Sequence, residues 1–411
     1  MRADRVIIAV EGGGPTGGAE RVAFDTVKVL SDEGIPVTII SSSAAIDPFY
    51  LALPGVQGLA LDLPYHFNRF FEGGKKVMVR NLLEDRTMKA LFARVLGELD
   101  SPKTVYHAHG FHNYFTQASL HVAVGLQMKT ILSCHDYGIA CPNSMQYDYV
   151  KGEICPLDPL SGACRKSACM GEDALRLKQL RFARAWAAER LYRVPQKMDK
   201  ILAVSEFERG ILQKHFGSKA QIGVLCNPVT PASNTCQNPV ESAEFLWVGR
   251  MTAEKDPVSP AIACAALEVP FTVVGDGPLQ TQVAAEYPAT NFLGWLGAEE
   301  VQKRQRGARA LIMSSRCYET ASLVVPECLA AGIPCIVPST SAATSWVEHG
   351  VNGHYFEIGN MSSLTTAVWS FGDGAYVEEL GRNAFERYWK NPYSIERYRT
   401  ELLNHYSEVL A

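Results

Sequence analysis

The sequence predicts an α/β protein with two domains, each built on a doubly wound parallel sheet. The chain has 411 residues, which is too long for one typical core and suits two domains. Short apolar runs alternate with helical patterns, as in βαβ units. Residues 230–244 are rich in Pro, Asn and Ser and have the composition of a linker.

Composition indicates an ordinary globular protein. Apolar residues make up 47% and charged residues 20% of the chain, as in most such proteins. No apolar run reaches the roughly 18 residues of a transmembrane helix, and the N-terminus lacks the pattern of a signal peptide. Eleven cysteines without an export signal predict a reducing compartment. We therefore expect a cytoplasmic protein, with peripheral contact to the inner membrane face left open.

The net charge of −4 is unevenly distributed, because residues 1–200 carry +3 and the remainder −7. A basic half is compatible with an anionic acceptor or a membrane surface, although a scatter of solvated charges explains it at least as well. Residues 66–100 interleave aromatic and aliphatic side chains with Arg and Lys. They predict a basic amphipathic helix, either packed on a sheet or lying on a membrane. A second basic amphipathic helix, expected at the surface, is predicted over residues 172–193.

The chain begins with a βαβ pattern. Residues 6–10 predict the first strand and residues 36–40 the second, with a helix between them that ends at Gly34. Five glycines in residues 11–21 let the backbone of the first loop approach a ligand closely. Their spacing differs from Gly-x-Gly-x-x-Gly, so a dinucleotide is not predicted.

Two predicted strand ends in the first half are rich in histidine. Residues 105–112 read Val-Tyr-His-Ala-His-Gly-Phe-His, and residues 130–137 end in Cys-His-Asp-Tyr. The three histidines of the first segment have no accompanying carboxylate, which disfavours a zinc site. His135, next to Asp136, is either part of an acceptor site or one member of a satisfied His–Asp pair.

An insertion at residues 141–170 contains Cys141, Cys155, Cys164 and Cys169. Thiolates gather in cytosolic proteins mainly for zinc or redox chemistry, so a structural zinc at these four residues is one expectation. The insertion lacks a Cys-x-x-Cys pair, and thiols that bind no metal are the alternative.

The second half opens with a strand at residues 245–249 that runs into a loop containing Arg250 and Lys255. Two fixed cations at the carboxyl end of a strand neutralise a diphosphate and stabilise it as a leaving group. Residues 271–279 and 291–295 predict two further strand–turn units.

Residues 310–339 predict a complete strand–turn–helix–strand unit. The apolar residues 310–313 and 334–338 are the strands. The helix between them is expected to begin at the N-cap Ser322 and to stop at Gly332.

Two glutamates flank the predicted tip of this helix. Helix N-termini at the carboxyl edge of a parallel sheet suit a phosphate, while Glu319 and Glu327 are suited to accept hydrogen bonds from hydroxyl groups. A phosphate between sugar hydroxyls describes a nucleotide sugar. An ordinary helix with two glutamates is the alternative.

The segment from Glu319 to Glu327 resembles the Glu-x7-Glu motif of retaining glycosyltransferases of family 4. These enzymes have the GT-B architecture, in which two Rossmann-like domains face each other across a cleft. Similar family segments correspond to Gly-Gly-Ala-Glu-Arg at 17–21, His-x-His at 107–109 and the Gly-Arg and Glu-Lys pairs within 249–255. The resemblance therefore covers nearly the whole chain, in order.

Two positions depart from the family pattern: Ser322 stands where Gly is usual, and Ser345 where Glu is common. The resemblance implies an acceptor-side domain at residues 1–232, which includes the Cys-rich insertion, and a nucleotide-sugar-binding domain at 233–392. A terminal helix at 393–411 is expected to cross back to the first domain.

The resemblance also implies roles for individual residues. His109 is expected to contact the reacting sugar and Glu319 to bind its hydroxyls, which makes these two the catalytic residues. His135 is expected on the acceptor side. The implied donor-binding residues are Gly17, Gly18, Arg250, Lys255, Ser322, Leu323, Val324 and Glu327.

We therefore expect a hexosyltransferase that moves a sugar, with retention, from a UDP- or GDP-linked donor to a glycan or lipid-linked acceptor. The expected pathway is bacterial cell-surface polysaccharide or glycoconjugate synthesis. No Asp-x-Asp motif is present, so protein cations rather than a metal ion are expected at the diphosphate, and no nucleic-acid partner is expected. The alternatives are a nucleotide-sugar epimerase of GT-B fold, a phosphorylase, or a non-catalytic nucleotide-sugar-binding protein.

Overall fold

The computed structural model describes residues 2–72, 74–231 and 233–411, which form two compact units. Unit 1 contains the described residues up to Met145, Pro156–Asn227 and Glu396–Ala411. Unit 2 contains Gln146–Cys155 and Pro228–Ile395. Part of the Cys-rich insertion thus groups with unit 2, whereas the sequence assigned all of it to the first domain.

The described strands and helices alternate along most of the chain, as the βαβ patterns predict. The strands are β1 (Arg5–Val10), β2 (Val37–Ser41), β3 (Val56–Ala60), β4 (Thr104–Ala108), β5 (Lys129–Cys134), β6 (Tyr147–Asp148), β7 (Glu153–Ile154), β8 (Lys200–Ala203), β9 (Ile222–Val224), β10 (Phe245–Val248), β11 (Phe271–Val274), β12 (Asn291–Phe292), β13 (Ala310–Ile312), β14 (Cys335–Pro338) and β15 (Gly353–Phe356). The helices are α1 (Gly18–Asp32), α2 (Pro48–Leu51), α3 (His66–Glu72), α4 (Gly74–Asn81), α5 (Arg86–Gly97), α6 (Thr116–Ala123), α7 (Gly162–Lys166), α8 (Leu175–Arg190), α9 (Val194–Lys197), α10 (Glu206–Phe216), α11 (Val258–Ala266), α12 (Gln280–Glu286), α13 (Ala298–Arg306), α14 (Val324–Ala330), α15 (Met361–Ser370), α16 (Gly374–Lys390) and α17 (Ile395–Leu410).

Within the described residues, unit 1 has a seven-stranded parallel sheet in the order β3-β2-β1-β4-β5-β8-β9. β1 lies inside the sheet and is buried from Val6 to Val10, as expected for a parallel sheet with both faces covered. The strand order reverses between β1 and β4, and doubly wound sheets bind ligands at such a point. The predicted first and second strands are confirmed.

The helix α17 completes unit 1, although it lies far along the chain from the sheet. The hydroxyl of Tyr398 lies 2.6 Å from the hydroxyl of Thr26, 372 residues away in sequence. Tyr406 is buried as well, and its hydroxyl lies 2.7 Å from Nδ1 of His107. This helix is therefore an integral part of the first core.

The loop after β1 requires glycine at one position. A Cβ on Gly13 would lie 2.1 Å from the carbonyl oxygen of Ala45, far inside van der Waals contact. The Gly13 carbonyl also accepts the N–H of Asp47 at 2.7 Å. The glycine-rich loop thus packs directly on the segment that follows β2.

Unit 2 has, among its described residues, a six-stranded parallel sheet in the order β12-β11-β10-β13-β14-β15. Apolar clusters form two cores around this sheet, one including Trp247 and Phe371 and the other including Leu329 and Val337. The order reverses between β10 and β13. Both sheets together confirm the predicted fold class.

The predicted unit at residues 310–339 is confirmed in its strands and its C-terminal stop but not in its helix cap. Gly332 has φ of +79° and follows α14, as the C-terminal stop requires. The N-cap is Leu323, which makes no side-chain cap. The prediction of Ser322 as the cap is wrong by one residue. Its carbonyl accepts the N–H of Val325 at 3.2 Å in a tight turn, and the carbonyl of Leu323 accepts the N–H of Glu327 at 3.2 Å, which makes Leu323 the first residue with the hydrogen bond of an α-helix.

The second basic helix is α8, and the prediction that it is a surface helix holds for one face only, because two of its basic residues are buried. Lys178 and Arg184 are only 1% and 3% exposed. The ammonium of Lys178 donates to the carbonyl of Arg165 at 3.1 Å, and the Arg184 guanidinium donates to the carbonyl of Asn81 at 3.2 Å. Backbone carbonyls thus accept hydrogen bonds from two cations that sequence patterning placed in water, and Nη1 of Arg184 also lies 3.8 Å from Oδ2 of the buried Asp85.

The predicted helix within residues 66–100 is replaced, in the described part, by α3, α4 and α5. The basic and aromatic pattern on which it rested falls partly outside the described residues. Gly73 and the side chains of Arg69, Phe71, Lys75 and Val77 are among those that the structure does not describe.

Candidate functional site

Both parallel sheets have polar side chains at the carboxyl ends of their central strands. In unit 1, the loops after β1, β4 and β5 line one cavity of about 130 Å³. In unit 2, the loops after β10 and β13 bring a lysine and a glutamate together. Ligands of doubly wound sheets bind at this edge, so each unit has a candidate site of its own.

His109, predicted to be catalytic, and His135, predicted on the acceptor side, both line the cavity of unit 1. Nδ1 of His109 lies 3.1 Å from Nε2 of His135, and the two rings stack with centroids 5.4 Å apart. Within the described chain, Nε2 of His109 has no hydrogen-bond partner, although the residue is only 3% exposed. A buried ring nitrogen in this condition is suited to bond a ligand group.

Burial keeps these imidazoles neutral. It lowers the pKa of His107 to about 3 and that of His135 to about 4. Burial also lowers the pKa of His109 well below its ordinary value, and the neighbouring imidazoles add to this shift. His107 is fixed behind the pair by Tyr406 and by the hydroxyl of Ser133, 2.8 Å from its Nε2. The cluster therefore offers neutral hydrogen-bonding groups to a ligand.

Asp136 forms a hydrogen-bonded pair with His112, a residue to which the sequence assigned no role. Its Oδ1 lies 3.0 Å from Nε2 of His112 and accepts the N–H of Gly138 at 2.8 Å. Burial favours the neutral acid, but His112 and this N–H hold the pKa of Asp136 below its usual range. A Cβ on Gly138 would lie 1.8 Å from the His112 ring, so the pair depends on glycine at that position.

Glu11, at the end of β1, is a second residue that sequence reasoning missed. Its Oε1 accepts the successive N–H groups of Asn113, Tyr114 and Phe115 at 3.0, 2.7 and 3.2 Å. Burial of the carboxyl group raises the pKa of Glu11, and these N–H groups oppose that rise. The partners lie about 100 residues downstream in the chain, so no local spacing could have indicated the contact.

Gly17 and Gly18, predicted to touch the donor, are the N-cap and first residue of α1. A Cβ on Gly17 would lie 2.5 Å from Oε2 of Glu20, whereas one on Gly18 would meet no atom within 4 Å. Glu20 itself lines the cavity. Gly17 therefore makes room for this carboxylate, and Gly18 leaves open space at the start of the helix.

In unit 2 the structure brings Lys255 and Glu319 into a direct ion pair, and the hydroxyl of Ser315 also bonds Oε1 of Glu319. The two side chains are 24% and 11% exposed. Burial alone would lower the pKa of Lys255, but the charge of Glu319 raises it. Burial likewise favours neutral Glu319, and Lys255 nevertheless holds the pKa of this carboxyl below its usual value. The pair remains charged, with the ammonium at the carboxyl edge of the sheet.

Arg250 extends the cationic character of this edge into solvent. Its side chain is 73% exposed, and its guanidinium lies 3.9 Å from Oε1 of Glu254. The hydroxyl of Thr252 donates to the same oxygen at 2.7 Å. The N–H of Arg316 donates to the carbonyl of Glu254 at 2.8 Å, which ties the loop after β13 to the loop after β10. Arg316 was not predicted as a site residue.

The remaining predicted donor residues lie at the start of α14. Leu323 is its N-cap, Val324 its first residue, and Ser322 precedes both. Glu327 is in the first turn and only 8% exposed, and its Oε2 accepts the side-chain N–H of Gln305 at 3.0 Å. The structure therefore places Glu319 beside a cation and Glu327 beside an amide.

The cysteine insertion shows no metal-binding geometry in the described chain, where no three His, Cys, Asp or Glu side chains are placed to hold an ion. Asn143 lies between two of the cysteines, with Oδ1 3.1 Å from Sγ of Cys141 and Nδ2 3.4 Å from Sγ of Cys169. A zinc at Cys141, Cys155, Cys164 and Cys169 stays a prediction.

The predicted membrane contact also stays a prediction. Among the helices that the structure describes, none has the length and apolar character needed to cross a bilayer.

Comparison with protein families gives two matches that together span most of the chain. The model for "Glycosyltransferase Family 4" matches residues 16–233, more than half of the 411 residues. The model for "Glycosyl transferases group 1" matches residues 242–371. An uncharacterised glycosyltransferase of Methanocaldococcus jannaschii is 28% identical over 107 residues, which is 24% of this chain and 27% of that protein.

Solved structures share the fold at low sequence identity. HepE of Anabaena, solved with UDP-glucose, superposes with a TM-score of 0.66 at 15% identity over 98% of this chain and 99% of that one. Sucrose-phosphate synthase of Thermosynechococcus elongatus superposes with a TM-score of 0.70 at 14% identity over 99% of both chains. TarM of S. aureus, solved with UDP among its ligands, gives 0.68 at 11% identity over 98% of this chain and 99% of that one. All three show the two-domain GT-B fold for this chain.

Proposed function

Because the chain belongs to glycosyltransferase family 4, we propose that it moves a hexose from a nucleotide-diphosphate sugar to a hydroxyl group, with retention of configuration. The acceptor proposed is a glycan or a lipid-linked sugar in cell-surface polysaccharide synthesis. The uneven charge of the chain, positive in residues 1–200, is compatible with such an anionic acceptor.

The observation that best supports this function is the Lys255–Glu319 pair at the carboxyl edge of the unit 2 sheet. Lys255 and the exposed Arg250 are the cations that would neutralise the diphosphate as it leaves. Glu319, ionised by its neighbour, accepts hydrogen bonds from the hydroxyls of the transferred sugar. Glu327 binds the ribose hydroxyls, and the backbone around Leu323 approaches the phosphates.

In unit 1 the proposed catalytic residue is His109. The Nε2 atom that lacks a partner in the described chain is assigned to hydrogen-bond a hydroxyl of the reacting sugar. His135 holds the other side of the ring at Nδ1, and it lines the same cavity on the acceptor side. Because all three imidazoles are neutral, they bind by hydrogen bonds and add no charge to the reacting centre.

The donor proposed first is a UDP-linked sugar, since HepE and TarM were solved with UDP; a GDP-linked sugar is the second choice. Binding would be measured by titration calorimetry and thermal shift with UDP-, GDP- and ADP-sugars. Wild-type protein is expected to bind one base with a rise in melting temperature. Lys255→Ala is expected to lose at least tenfold in affinity, and Lys303→Ala, an exposed lysine of the same unit, serves as the control.

Turnover would then separate the proposal from its alternatives. We expect transfer of the sugar from the bound donor to an added glycan acceptor. NMR would show that the anomeric configuration is retained in the product, and a chelator would leave the rate of transfer unchanged. Conversion of the donor sugar without any acceptor would identify an epimerase instead. Binding with no turnover of any kind would contradict an enzymatic role, and absence of binding to every donor would contradict the whole proposal.

A further inference from the structure

Residues 146–155 form a small antiparallel hairpin that belongs to unit 2. β6 pairs with β7, with Tyr147 opposite Ile154. Asp148 closes the turn, because its Oδ1 accepts the N–H groups of Val150 and Lys151 at 3.0 and 3.1 Å. The hairpin is therefore a defined structural element, and it contains none of the residues assigned above to the donor or the acceptor.

The hairpin is anchored by one tyrosine and presents another. Tyr147 is only 1% exposed, whereas Tyr149 is 39% exposed. Their rings meet edge to face, with centroids 5.0 Å apart and planes at 89°, the geometry that aromatic pairs prefer. The buried ring thus holds the exposed ring in one orientation.

Arg316 connects the hairpin to the cationic edge of the sheet. A Cβ on Gly152 would lie 3.6 Å from the hydroxyl of Tyr147 and 4.0 Å from Nη1 of Arg316, so the turn of the hairpin lies directly against this guanidinium. The Arg316 N–H in turn bonds the carbonyl of Glu254. The hairpin therefore lies against the loop after β13, which is itself hydrogen-bonded to the loop that contains Arg250 and Lys255.

The charges around Tyr149 are those of the same loops. Burial raises the pKa of its phenol, the negative charge of Glu254 raises it further, and the guanidinium of Arg250 opposes the rise. The phenol is consequently a protonated hydroxyl at neutral pH, within electrostatic reach of both Glu254 and Arg250. Such a group donates a hydrogen bond to an anionic oxygen.

We propose that Tyr149 is a donor-binding residue, whose hydroxyl donates a hydrogen bond to the diphosphate of the nucleotide sugar beside Arg250. The inference rests on the proposed function, since it presumes a diphosphate at that edge. It adds a binding residue from a segment of unit 2 that precedes the rest of that unit in sequence by about 80 residues.

The test compares Tyr149→Phe and Tyr149→Ala with wild type in calorimetric titrations with UDP. GDP and ADP replace UDP if wild type prefers another base. Tyr149→Phe is expected to bind the diphosphate about tenfold more weakly, and Tyr149→Ala at least as weakly. Val150→Ala, a change at the neighbouring exposed position of the same turn, is expected to leave affinity unchanged. Tyr149→Phe and Val150→Ala are expected to melt within about 2 °C of wild type, because each is a small change in a partly exposed side chain. Tyr149→Ala also removes the ring that packs against Tyr147, so Tyr149→Phe is the decisive variant.

Two outcomes separate this inference from the function on which it rests. If Tyr149→Phe and Tyr149→Ala bound the diphosphate as wild type does while Lys255→Ala lost it, the role of Tyr149 would be wrong and the donor site would stand. If wild type bound none of the three nucleotides, the proposed function and this inference would both be overturned.

Discussion

The two candidate sites occupy the same place in two similar sheets, yet their buried ionisable groups differ in charge. In unit 1 the pKa values of His107 and His135 fall to about 3 and about 4, so these imidazoles are neutral. In unit 2 the pKa of Lys255 is raised and that of Glu319 is lowered, so both are charged.

The difference shows that the charge state of a buried side chain depends more on the group in contact with it than on burial. Burial opposes the charged form in both units. The imidazoles of unit 1 have mainly one another and hydroxyl groups as neighbours. Asp136 raises the pKa of His135, but burial outweighs this effect. Lys255 has a carboxylate in direct contact, which reverses the effect of burial. Four experiments would test or refine this contrast, from the largest expected effect to the smallest.

Removing the negative partner in unit 2 should have the largest effect. Glu319→Gln leaves the ammonium of Lys255 without a counter-charge, so we expect the free energy of unfolding to fall by about 3 kcal/mol. The double variant Glu319→Gln/Lys255→Met removes both charges and should recover most of this loss. Denaturant unfolding of Glu319→Gln, Lys255→Met and the double variant measures the coupling free energy between the two side chains. A Glu319→Gln protein as stable as wild type would show that the pair is not what keeps Lys255 charged.

The histidines of unit 1 should make the protein sensitive to acid. A histidine whose folded pKa lies below 6.5 binds fewer protons than the unfolded chain, so its stabilising effect is complete above pH 6.5 and is lost as the pH falls toward the folded value. For His107, with a pKa of about 3, we expect a loss of about 2 kcal/mol between pH 6.5 and pH 5. Unfolding free energies at these two pH values measure it, and His107→Gln should flatten the slope. An equal slope in both proteins would place the acid sensitivity elsewhere.

A Glu→Gln substitution at Glu11 in unit 1 should lower the free energy of unfolding less than Glu319→Gln does in unit 2. Glu11 has three backbone N–H groups as partners, and the single amide oxygen of glutamine can accept all three bonds that Oε1 accepts. We expect Glu11→Gln to lower the free energy of unfolding by no more than about 1 kcal/mol. Glu11→Ala, which leaves the N–H groups unsatisfied, is the comparison and should cost about twice as much. A loss for Glu11→Gln as large as that for Glu319→Gln would erase the contrast between the units.

The smallest effect on stability is expected at Arg250. Its side chain is 73% exposed and 3.9 Å from Glu254, and exposed pairs of this kind contribute less than about 0.5 kcal/mol. Arg250→Ala should therefore leave the unfolding midpoint unchanged, while the affinity for UDP falls about tenfold. Calorimetric titration and denaturant unfolding of one preparation give both numbers. An Arg250→Ala protein that is less stable but binds UDP as well as wild type would show that Arg250 stabilises the fold and does not bind the diphosphate.

Local pattern was sufficient to predict the sheets and much of unit 2. The apolar run at Ala310–Ile312 and the stop at Gly332 are properties of neighbouring residues, and both appear in the structure. These two features required no knowledge of distant contacts. The direct meeting of Lys255 and Glu319 was not predicted, because it depends on the pairing of β10 with β13, which brings together residues 64 apart in sequence.

Other features depend on contacts that sequence spacing does not encode. The basic pattern around Lys178 predicted a solvent-exposed side chain, but this side chain is buried and its ammonium donates a hydrogen bond to the carbonyl of Arg165. Glu11 finds its partners about 100 residues away, and Tyr149 belongs with loops that the chain forms much later. Ser322 failed as a cap for a local reason, since its backbone enters a turn before the helix begins.

The position of α17 has a consequence for synthesis on the ribosome. Tyr398 and Tyr406 seal the first core through Thr26 and His107, so the nascent unit 1 remains incomplete until all of unit 2 has left the exit tunnel. A closure across more than 370 residues also slows the search for the native contact. Unit 2, whose helices and large sheet are continuous in sequence from Pro228 onward, has no such delay. The expected order of maturation is therefore the reverse of the order of translation, with the second unit ready to fold first.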